Sequence, residues 1–323
     1  MKEEMFGITL NFIKGHMGGN EIILLIGEQI PKGRELEVGL LALNAPNIRG
    51  HQAGLLYNSH SDGYVKVKIV DHASGGFISA CGGLTQVFGK ALIETDLAEE
   101  LGIEITEPVT DATLETDVGP VQIKIQITNG SSREVLTNMK SFVDECYESG
   151  VQSIIIDNLV KAVKVGKCLV ININDLRAVF SERNFSKINR ETSEILATLQ
   201  RQFDSEGYLH SRNGDFSLYD LSPSRPGNDG RAIFPHRISG DSIEPACGTG
   251  TVAIGIAMVE RGEIEQSDTA LQLSFESGGD IYGIGGPNST SLGLQIRKGK
   301  VVDASFSHSL VEILATGTLR LHL

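Results

Sequence analysis

The sequence has no tryptophan, few aromatic residues of any kind and only 9 prolines among its 323 residues. Its four cysteines are widely spaced, and none falls in a CxxC or CxxH pattern, which argues against a metal site. No uninterrupted apolar run approaches 18 residues, so no membrane-spanning helix is expected. Few and scattered cysteines are typical of a reducing compartment, and we therefore expect a cytoplasmic protein without a metal.

Basic residues are also scarce. The chain carries 28 lysines and arginines against 41 acidic residues, and its formal net charge is −13, which argues against nucleic acid or an anionic membrane as a partner. The acidic opening Met1–Glu4 is not followed by the apolar core of a signal peptide. These features leave open a small-molecule partner, such as a carboxylate or an amino acid, and a homodimer.

Length and hydrophobic patterning predict two domains, each large enough for its own core. Apolar and polar residues alternate along Tyr64–Val70 and Val121–Thr128, which predicts two β-strands. The polar turn Asp117–Pro120 is a candidate crossing between the domains. Further strands are predicted at Glu21–Gly27, Leu55–Tyr57, Cys168–Asn174, Leu292–Arg297, Val301–Ser307 and Leu314–Leu323, and helices at Gly82–Glu94, Ser131–Glu148 and Glu191–Phe203.

A short segment occurs twice in the chain. CGGLTQVFGKAL begins at Cys81 and CGTGTVAIGIAM at Cys247, and without gaps they share Cys, Gly, Thr, Gly and Ala at the same places. Alanine precedes both cysteines, which lie 166 positions apart, close to half of the chain. The repeat indicates an old duplication that gives each half one cysteine at the start of an apolar helix.

Two cysteines at helix starts suit proton transfer at a carbon beside a carboxylate. The unpaired N–H groups and the dipole of a helix start stabilise a thiolate, and they also bind a carboxylate. With the two starts facing each other, one sulfur removes a proton and the other returns one from the opposite face. We therefore predict Cys81 and Cys247 as the acid/base pair in a site that closes over its substrate. The backbone of Gly82, Gly83, Gly248 and Thr249 would hold the carboxylate.

The cysteines and the glycine-rich segments also have simpler interpretations. A single cysteine before a helix is more often buried and inert, and this is the favoured interpretation for Cys146 and Cys168, which lie outside the repeat. The Gly248–Gly250 turn lacks the GK[ST] ending of a phosphate-binding loop. The glycine-rich segment Gly283–Pro287 is interpreted as a turn.

The motifs resemble those of the diaminopimelate epimerase and proline racemase superfamily of cofactor-independent enzymes. Ala246–Gly250 matches the superfamily signature ACGTG residue for residue, Lys14–Ile22 is similar to its opening KMHGLGNDF, and His72–Gly75 is similar to NADG. The resemblance implies that Asn20 and His72 contact the substrate. Arg237, shortly before the second cysteine, is a further candidate.

Several motifs depart from the family pattern. The first cysteine is followed by Gly-Gly-Leu-Thr-Gln instead of Gly-Asn-Gly-Ala-Arg, and His72 replaces the asparagine of NADG. The GNPH turn is reduced to Gly166–Lys167, and the Glu-Arg pair expected before the second cysteine is out of register. Diaminopimelate epimerases use these positions largely to grip the distal amino acid group of their substrate. The departures imply that the cysteine chemistry is kept and that diaminopimelate is not the substrate.

The resemblance implies an α+β, diaminopimelate epimerase-like fold of two pseudo-symmetric domains, each a curled mixed or antiparallel sheet around a central helix. The first domain would comprise residues 1–118, with a returning C-terminal strand at about 312–323, and carry Cys81. The second would comprise residues 119–311 and carry Cys247.

The function implied is a racemase or epimerase that inverts the α-carbon of an amino acid by two-base proton transfer, without pyridoxal phosphate or any other cofactor. One alternative is an isomerase that shifts a double bond in an unsaturated carboxylate, as methylaconitate isomerases do. Another is a carboxylate-binding relative that has lost its activity. The sequence does not select the amino acid, the resting thiolate, the oligomeric state or the pathway.

Overall fold

The structure is a computed structural model that describes residues 7–59, 63–179, 190–209, 216–235, 243–264, 268–276 and 288–323. It divides into two compact units. Unit one runs to Thr137 and also includes Val311–Leu323, and unit two comprises Asn138–Leu310. The predicted boundary after residue 118 falls instead within the turn of a β-hairpin of unit one. The two strands of this hairpin pair with Val109 opposite Gln126 at one end and Thr116 opposite Gly119 at the turn.

Unit one contains a sheet and three α-helices in its described part. Its strands are β1 (Gly7–Met17), β2 (Asn20–Ile26), β3 (Gln52–Asn58), β4 (Tyr64–Asp71), β5 (Gly76–Ile78), β6 (Val109–Thr116), β7 (Gly119–Thr128), β8 (Ser131–Asn138, at the unit boundary) and the C-terminal β18 (Val311–His322). Its helices are α1 (Glu35–Leu43), α2 (Gly82–Glu94) and α3 (Leu97–Leu101). The strand order is β18-β1-β2-β3-β4-β6-β7-β8, and β5 pairs with β4. The pairs β2–β3 and β4–β6 are parallel, and the others are antiparallel.

Unit two repeats this arrangement. Its strands are β9 (Val151–Ile156), β10 (Val160–Val165), β11 (Cys168–Asn172), β12 (Phe216–Asp220), β13 (Gly230–Pro235), β14 (Ile243–Glu244), β15 (Thr269–Glu276), β16 (Ser289–Arg297) and β17 (Lys300–His308). Its described helices are α4 (Lys140–Ser149), α5 (Ile173–Val179), α6 (Arg190–Ser205) and α7 (Gly248–Glu260). The order is β9-β10-β11-β12-β13-β15-β16-β17, with β14 on β13. The pairs β11–β12 and β13–β15 are parallel.

The two sheets therefore share one strand order and one pattern of parallel pairs, with α2 and α7 at equivalent places. The difference lies in the first strand. In unit two β9 precedes β10 directly in the chain, whereas in unit one β18 pairs with β1 from Gly7 opposite His322 to Met17 opposite Val311. The topology accounts for the repeated cysteine segment, because a duplicated unit carries its helix start with it.

Each sheet curls around one buried helix. Helix α2 packs against β18, β1 and β2, which lie at one end of the strand order, and against β7, which lies near the other end. Helix α7 packs in the same way against strands from both ends of its sheet, β9 to β17. Every residue from Gly250 to Val259 in α7 is buried, because a helix enclosed by a sheet has no solvent face. Both helices have 13 residues, and no helix in the described ranges is long and apolar enough to cross a membrane.

One sequence expectation was wrong at residues 131–148, which were predicted to form a single helix. Ser131–Asn138 is the strand β8, and α4 begins only at Lys140. Asn129 and Gly130 have φ values of +53° and +70° and form a two-residue turn between β7 and β8. Asn-Gly between alternating strands is a strong hairpin signal. Val135 and Thr137 then face α2, where Thr137 hydrogen-bonds Thr85 and Gln86.

Unit two holds a buried charge cluster on β12. The Asp220 carboxylate is fully buried and accepts hydrogen bonds from Arg231 at 2.7 Å, from Arg177 at 3.0 Å and from the Ser222 backbone at 2.9 Å. Burial by itself raises the pKa of Asp220, but the hydrogen bonds from Arg231 and Ser222 and the two positive charges outweigh it, and the pKa is lowered.

We expect Gly89→Ala to destabilise the protein by about 1–3 kcal/mol. A Cβ at Gly89 in α2 would lie 2.6 Å from Cγ1 of Val135, whose β-branched side chain has little rotamer freedom. This crowding outweighs the roughly 1 kcal/mol by which alanine favours a helix over glycine. The matched control is Gly7→Ala, where the nearest atom lies 3.9 Å away. Denaturant unfolding measures both, and equal stability of the two variants would contradict the expectation.

We expect Asp220→Asn to destabilise the protein by about 3–5 kcal/mol at neutral pH, because Arg231 keeps a buried charge without its partner. The lowered pKa means that the carboxylate stabilises the fold above the ordinary aspartate value of about 3.9 and that this contribution is lost as pH falls through the folded-state pKa. The stability difference between wild type and variant should therefore shrink in acid. Asp144→Asn, on the exposed pair with Lys140, should change stability by less than about 1 kcal/mol in the same measurement.

Candidate active site

Cys81 is the N-cap residue of α2. Its backbone is extended, with φ −149° and ψ 112°, and its Sγ accepts a hydrogen bond from the Leu84 N–H at 3.4 Å. The short strand β5, which pairs with the end of β4, leads the chain to this position. A sulfur in this place takes over the role that a serine or aspartate oxygen has in most N-caps. The side chain is half-buried and is not in a disulfide.

Cys247 has the same geometry in unit two. It is the N-cap of α7, with φ −136° and ψ 118°, and its Sγ accepts from the Gly250 N–H at 3.4 Å. Residues of β14, which pairs with the end of β13, lead the chain to it, as β5 does for Cys81. Cys247 is also half-buried and outside any disulfide. The repeated sequence thus forms a repeated structure, in which each sulfur lies at the start of a buried helix.

The first residues of both helices offer backbone N–H groups that have no acceptor inside the helix. These residues are Gly82 and Gly83 in unit one and Gly248 and Thr249 in unit two, and the three glycines are buried. The helix dipole adds positive potential at the same places. Each helix start therefore suits a carboxylate oxygen, and the role of these four residues stays a prediction.

Asn20 lies beside the first helix start. It is the first residue of β2, directly after the two-residue turn Gly18–Gly19, and it is 1% exposed. A Cβ on Gly83 would meet Asn20 Nδ2 at 3.3 Å, so the asparagine packs against the first turn of α2. Nδ1 of His51 accepts from the Glu21 N–H at 3.0 Å and lies 3.1 Å from Oδ1 of Asn20. The structure thus brings Asn20 to the Cys81 helix, and it adds His51, which was not predicted.

Gln52 was also missed by sequence reasoning. It is 5% exposed, and its Nε2 donates to the Asp71 carboxylate at 2.9 Å. Because a carboxylate only accepts, this bond turns Oε1 of Gln52 away from Asp71, and Oε1 lies 3.9 Å from the Cys81 sulfur, which donates to it. Gln52 and Asp71 are opposite each other on β3 and β4. Gln52 and Cys81 are 29 positions apart in the chain, so no local sequence pattern predicts this contact.

The other predicted contacts have different outcomes. Nε2 of His72 lies within hydrogen-bond distance, 3.0 Å, of Oδ1 of Asn44. Asn44 is the C-cap residue of α1, so the His72 side chain contacts the end of this helix. Arg237 lies outside the described residues. Cys146 and Cys168 are 3% and 6% exposed, which agrees with their assignment to the core. No group of three metal-ligating side chains occurs in the described ranges.

The two sulfurs differ in their second neighbour. Cys81 lies against the amide oxygen of Gln52, which can only accept a hydrogen bond, and this contact favours the protonated thiol. Cys247 lies 3.2 Å from the Thr249 hydroxyl, which is able to donate to a thiolate. The Gln52 contact therefore favours a proton on Cys81, whereas at Cys247 either the sulfur or the Thr249 hydroxyl is able to donate.

Solved structures with a similar fold include an epimerase, a probable racemase and an isomerase. A hydroxyproline epimerase from Agrobacterium vitis, solved with trans-4-hydroxy-L-proline, is similar over 99% of this chain and 93% of its own, with 16% identity and a TM-score of 0.66. A probable proline racemase from Agrobacterium radiobacter, solved with carbonate, is similar over 95% and 92%, with 16% identity and a TM-score of 0.62. A methylitaconate-delta-isomerase is similar over 99% and 96%, with 12% identity and a TM-score of 0.57.

These likenesses confirm the predicted fold, which the chain shares with the hydroxyproline epimerase, the probable proline racemase and the methylitaconate-delta-isomerase. No protein-family model matches the sequence, and no curated protein sequence matches it. At such low identity the likeness concerns the fold, and the chemistry is argued from the residues of this chain.

Alkylation should separate the four cysteines into two classes. Iodoacetamide should modify half-buried Cys81 and Cys247 in the native protein and leave Cys146 and Cys168 unmodified, and all four should react in guanidinium. Peptide mass spectrometry of timed samples measures each site. Modification of Cys168 as fast as that of Cys247 would contradict this arrangement.

Proposed function

We propose that the protein is a cofactor-independent racemase or epimerase that inverts the α-carbon of an amino acid. The observation that carries the proposal is the pair of matching cysteine N-caps, one in each unit, at the starts of the two central helices. Packing alone does not require a cysteine at equivalent positions in both halves of a duplicated fold. A pair of proton-transfer groups does require it.

In the proposed reaction one cysteine is a thiolate and the other is a thiol. The thiolate takes the α-proton, so a C–H bond breaks, an S–H bond forms, and the electron pair moves into an enolate-like carboxylate. The opposite thiol then gives its proton to the other face of the carbon and becomes the thiolate. The product has inverted configuration, and the net number of protons on the enzyme is unchanged.

The backbone N–H groups of Gly82, Gly83, Gly248 and Thr249 are proposed to hold the carboxylate on which the negative charge develops. Their position at helix starts supports this role, because the donors are fixed before the reaction begins. Asn20, packed against Gly83, is proposed as a substrate contact from unit one. His72 and Arg237 remain predictions from the sequence.

We further propose that Cys81 is the thiol and Cys247 the thiolate in the resting protein. The support is the difference in their neighbours: an acceptor-only amide oxygen at Cys81 and a hydroxyl at Cys247. Gln52, held by Asp71, is then a positioning residue that keeps the Cys81 proton in place.

A second candidate is an isomerase that moves a double bond in an unsaturated carboxylate. Two observations favour keeping it: the unequal settings of the two sulfurs, and the same fold in a methylitaconate-delta-isomerase. A double-bond shift needs proton transfer on one side only, so one cysteine would be dispensable. A carboxylate-binding protein without activity is the third candidate.

The decisive experiment measures α-deuterium incorporation and loss of optical activity in D₂O over a panel of amino acids. We expect exchange with at least one of them, and we expect Cys81→Ser and Cys247→Ser each to slow racemisation by about 10²–10⁴-fold, because the serine hydroxyl is a far weaker acid than a thiol and stays un-ionised near neutral pH. Cys168→Ser is the matched control, since its sulfur lies in the core against Ser217.

Three outcomes separate the candidates. Loss of turnover in both cysteine variants supports the racemase. Turnover of an unsaturated carboxylate that survives one of the two substitutions supports the double-bond isomerase. Absence of exchange with every amino acid and every unsaturated acid tested would leave only the binding protein.

A further inference from the structure

Two buried oxygens at the start of β16 have no hydrogen-bond partner in the described part of the chain. They are the side-chain oxygen Oδ1 of Asn288 and the hydroxyl Oγ1 of Thr290, in residues that are 5% and 1% exposed. Burying a polar atom without a partner costs folding free energy, so nearly all such atoms in folded proteins are paired. Two of them, two residues apart, indicate a place built for something other than packing.

Both side chains point to the inside of unit two. Leu292 and Leu294 of β16 lie against α7, since a Cβ on Gly255 would meet their methyl groups at 2.8 and 3.0 Å. Side chains alternate along a strand, so Thr290 shares this face. Asn288 lies two residues before Thr290 and therefore continues the same row along the extended chain. Its carbonyl accepts from Arg225 at 3.1 Å, which fixes the backbone there.

The row continues toward the end of the unit where α7 begins. Gly250, in the first turn of α7, lies against Phe234 near the end of β13. The strand β13 runs parallel to β15, with Arg231 opposite Glu276, and Glu276 is opposite Ser289 at the start of β16. The end of β13 and the start of β16 thus belong to the same edge of the sheet. Asn288 and Thr290 lie at this edge, on the side of the Cys247 helix start.

We propose that Asn288 and Thr290 form a subsite in unit two that binds an uncharged hydroxyl group on the side chain of the substrate. The inference rests on the proposed function, because it names the part of the amino acid that lies beyond the reacting carbon. A hydroxyl donates to the Asn288 amide oxygen, which only accepts, and it accepts from the Thr290 hydroxyl. One ligand group then satisfies both buried oxygens.

The surroundings favour a neutral group over a charged one. Thr290 is directly opposite Phe275 on the neighbouring strand β15 and opposite His308 on the other neighbouring strand, β17. Glu276, the neighbouring carboxylate, instead accepts from Ser224 and from the Arg225 backbone. A buried ammonium group would therefore have no carboxylate beside it in this row, and an unpaired buried charge is costly.

The first test needs no ligand. If the Thr290 hydroxyl is buried without a partner, then Thr290→Val, which replaces it with a methyl group of similar shape, should raise the melting temperature of the unliganded protein by about 2–4 °C. Thr269→Val on exposed β15 is the control and should change it little. A lower melting temperature for Thr290→Val would show that the hydroxyl supports the fold, and it would overturn the proposal.

The second test measures binding by calorimetry for pairs of amino acids that differ by one hydroxyl: serine and alanine, threonine and 2-aminobutyrate, 4-hydroxyproline and proline. In at least one pair the hydroxylated member should bind the wild-type protein about tenfold or more tightly. Asn288→Ala and Thr290→Val should each remove that preference, and Thr290→Ser, which keeps the hydroxyl, should retain it. Equal or undetectable binding within every pair would overturn the subsite.

The two proposals fail separately. Binding requires no proton transfer, so a hydroxyl preference without α-deuterium exchange would refute the racemase and leave the subsite standing. Exchange without any hydroxyl preference would refute the subsite and leave the racemase standing.

Discussion

The hydrogen bond from a backbone N–H to a cysteine sulfur at the start of each central helix is the interaction on which the site depends. A helix enclosed by a sheet begins inside the protein, where its first N–H groups lack both intrahelical partners and bulk water. The sulfurs of Cys81 and Cys247 each satisfy one of these groups, in Leu84 and Gly250. The N–H groups that precede them are left to bind an anion. The enclosed helix thus offers N–H groups that suit an anion beside a thiol.

The curled sheets impose the second constraint. Each central helix needs strands on all sides, and the eight-strand order together with its short extra strand supplies them in both units. Unit two has all of its strands in one continuous segment, whereas unit one takes β18 from the far end of the chain. The small residues Gly89 and Gly255 occupy equivalent places in the two helices, where β-branched or leucine side chains of the sheet press closely against them.

Buried polar groups show where the chain maintains its fold and where it maintains a site. Asp220 has two arginines and a backbone donor, and Gln52 is held by Asp71, so these groups are satisfied within the protein. In the part of the chain that the structure describes, the side-chain oxygens of Asn288 and Thr290 have no such partner. Satisfied groups reinforce one structure, whereas unsatisfied ones lower stability and persist where a ligand uses them.

The sequence by itself determined the features that are written locally. The repeat at Cys81 and Cys247 predicted the duplication and the two helix starts, because an N-cap and an apolar helix need only adjacent residues. The fold was implied by the family resemblance of the motifs. The Asn129–Gly130 turn is also a local signal. It starts the strand β8 at Ser131, so the helix predicted across Ser131–Glu148 was wrong. Only the tertiary structure decided which distant residues join the helix starts. Gln52 reaches Cys81 through the pairing of β3 with β4, and Thr290 faces α7 through the register of β15 and β16. Strand register is set by packing over the whole sheet, so no short stretch of sequence records it.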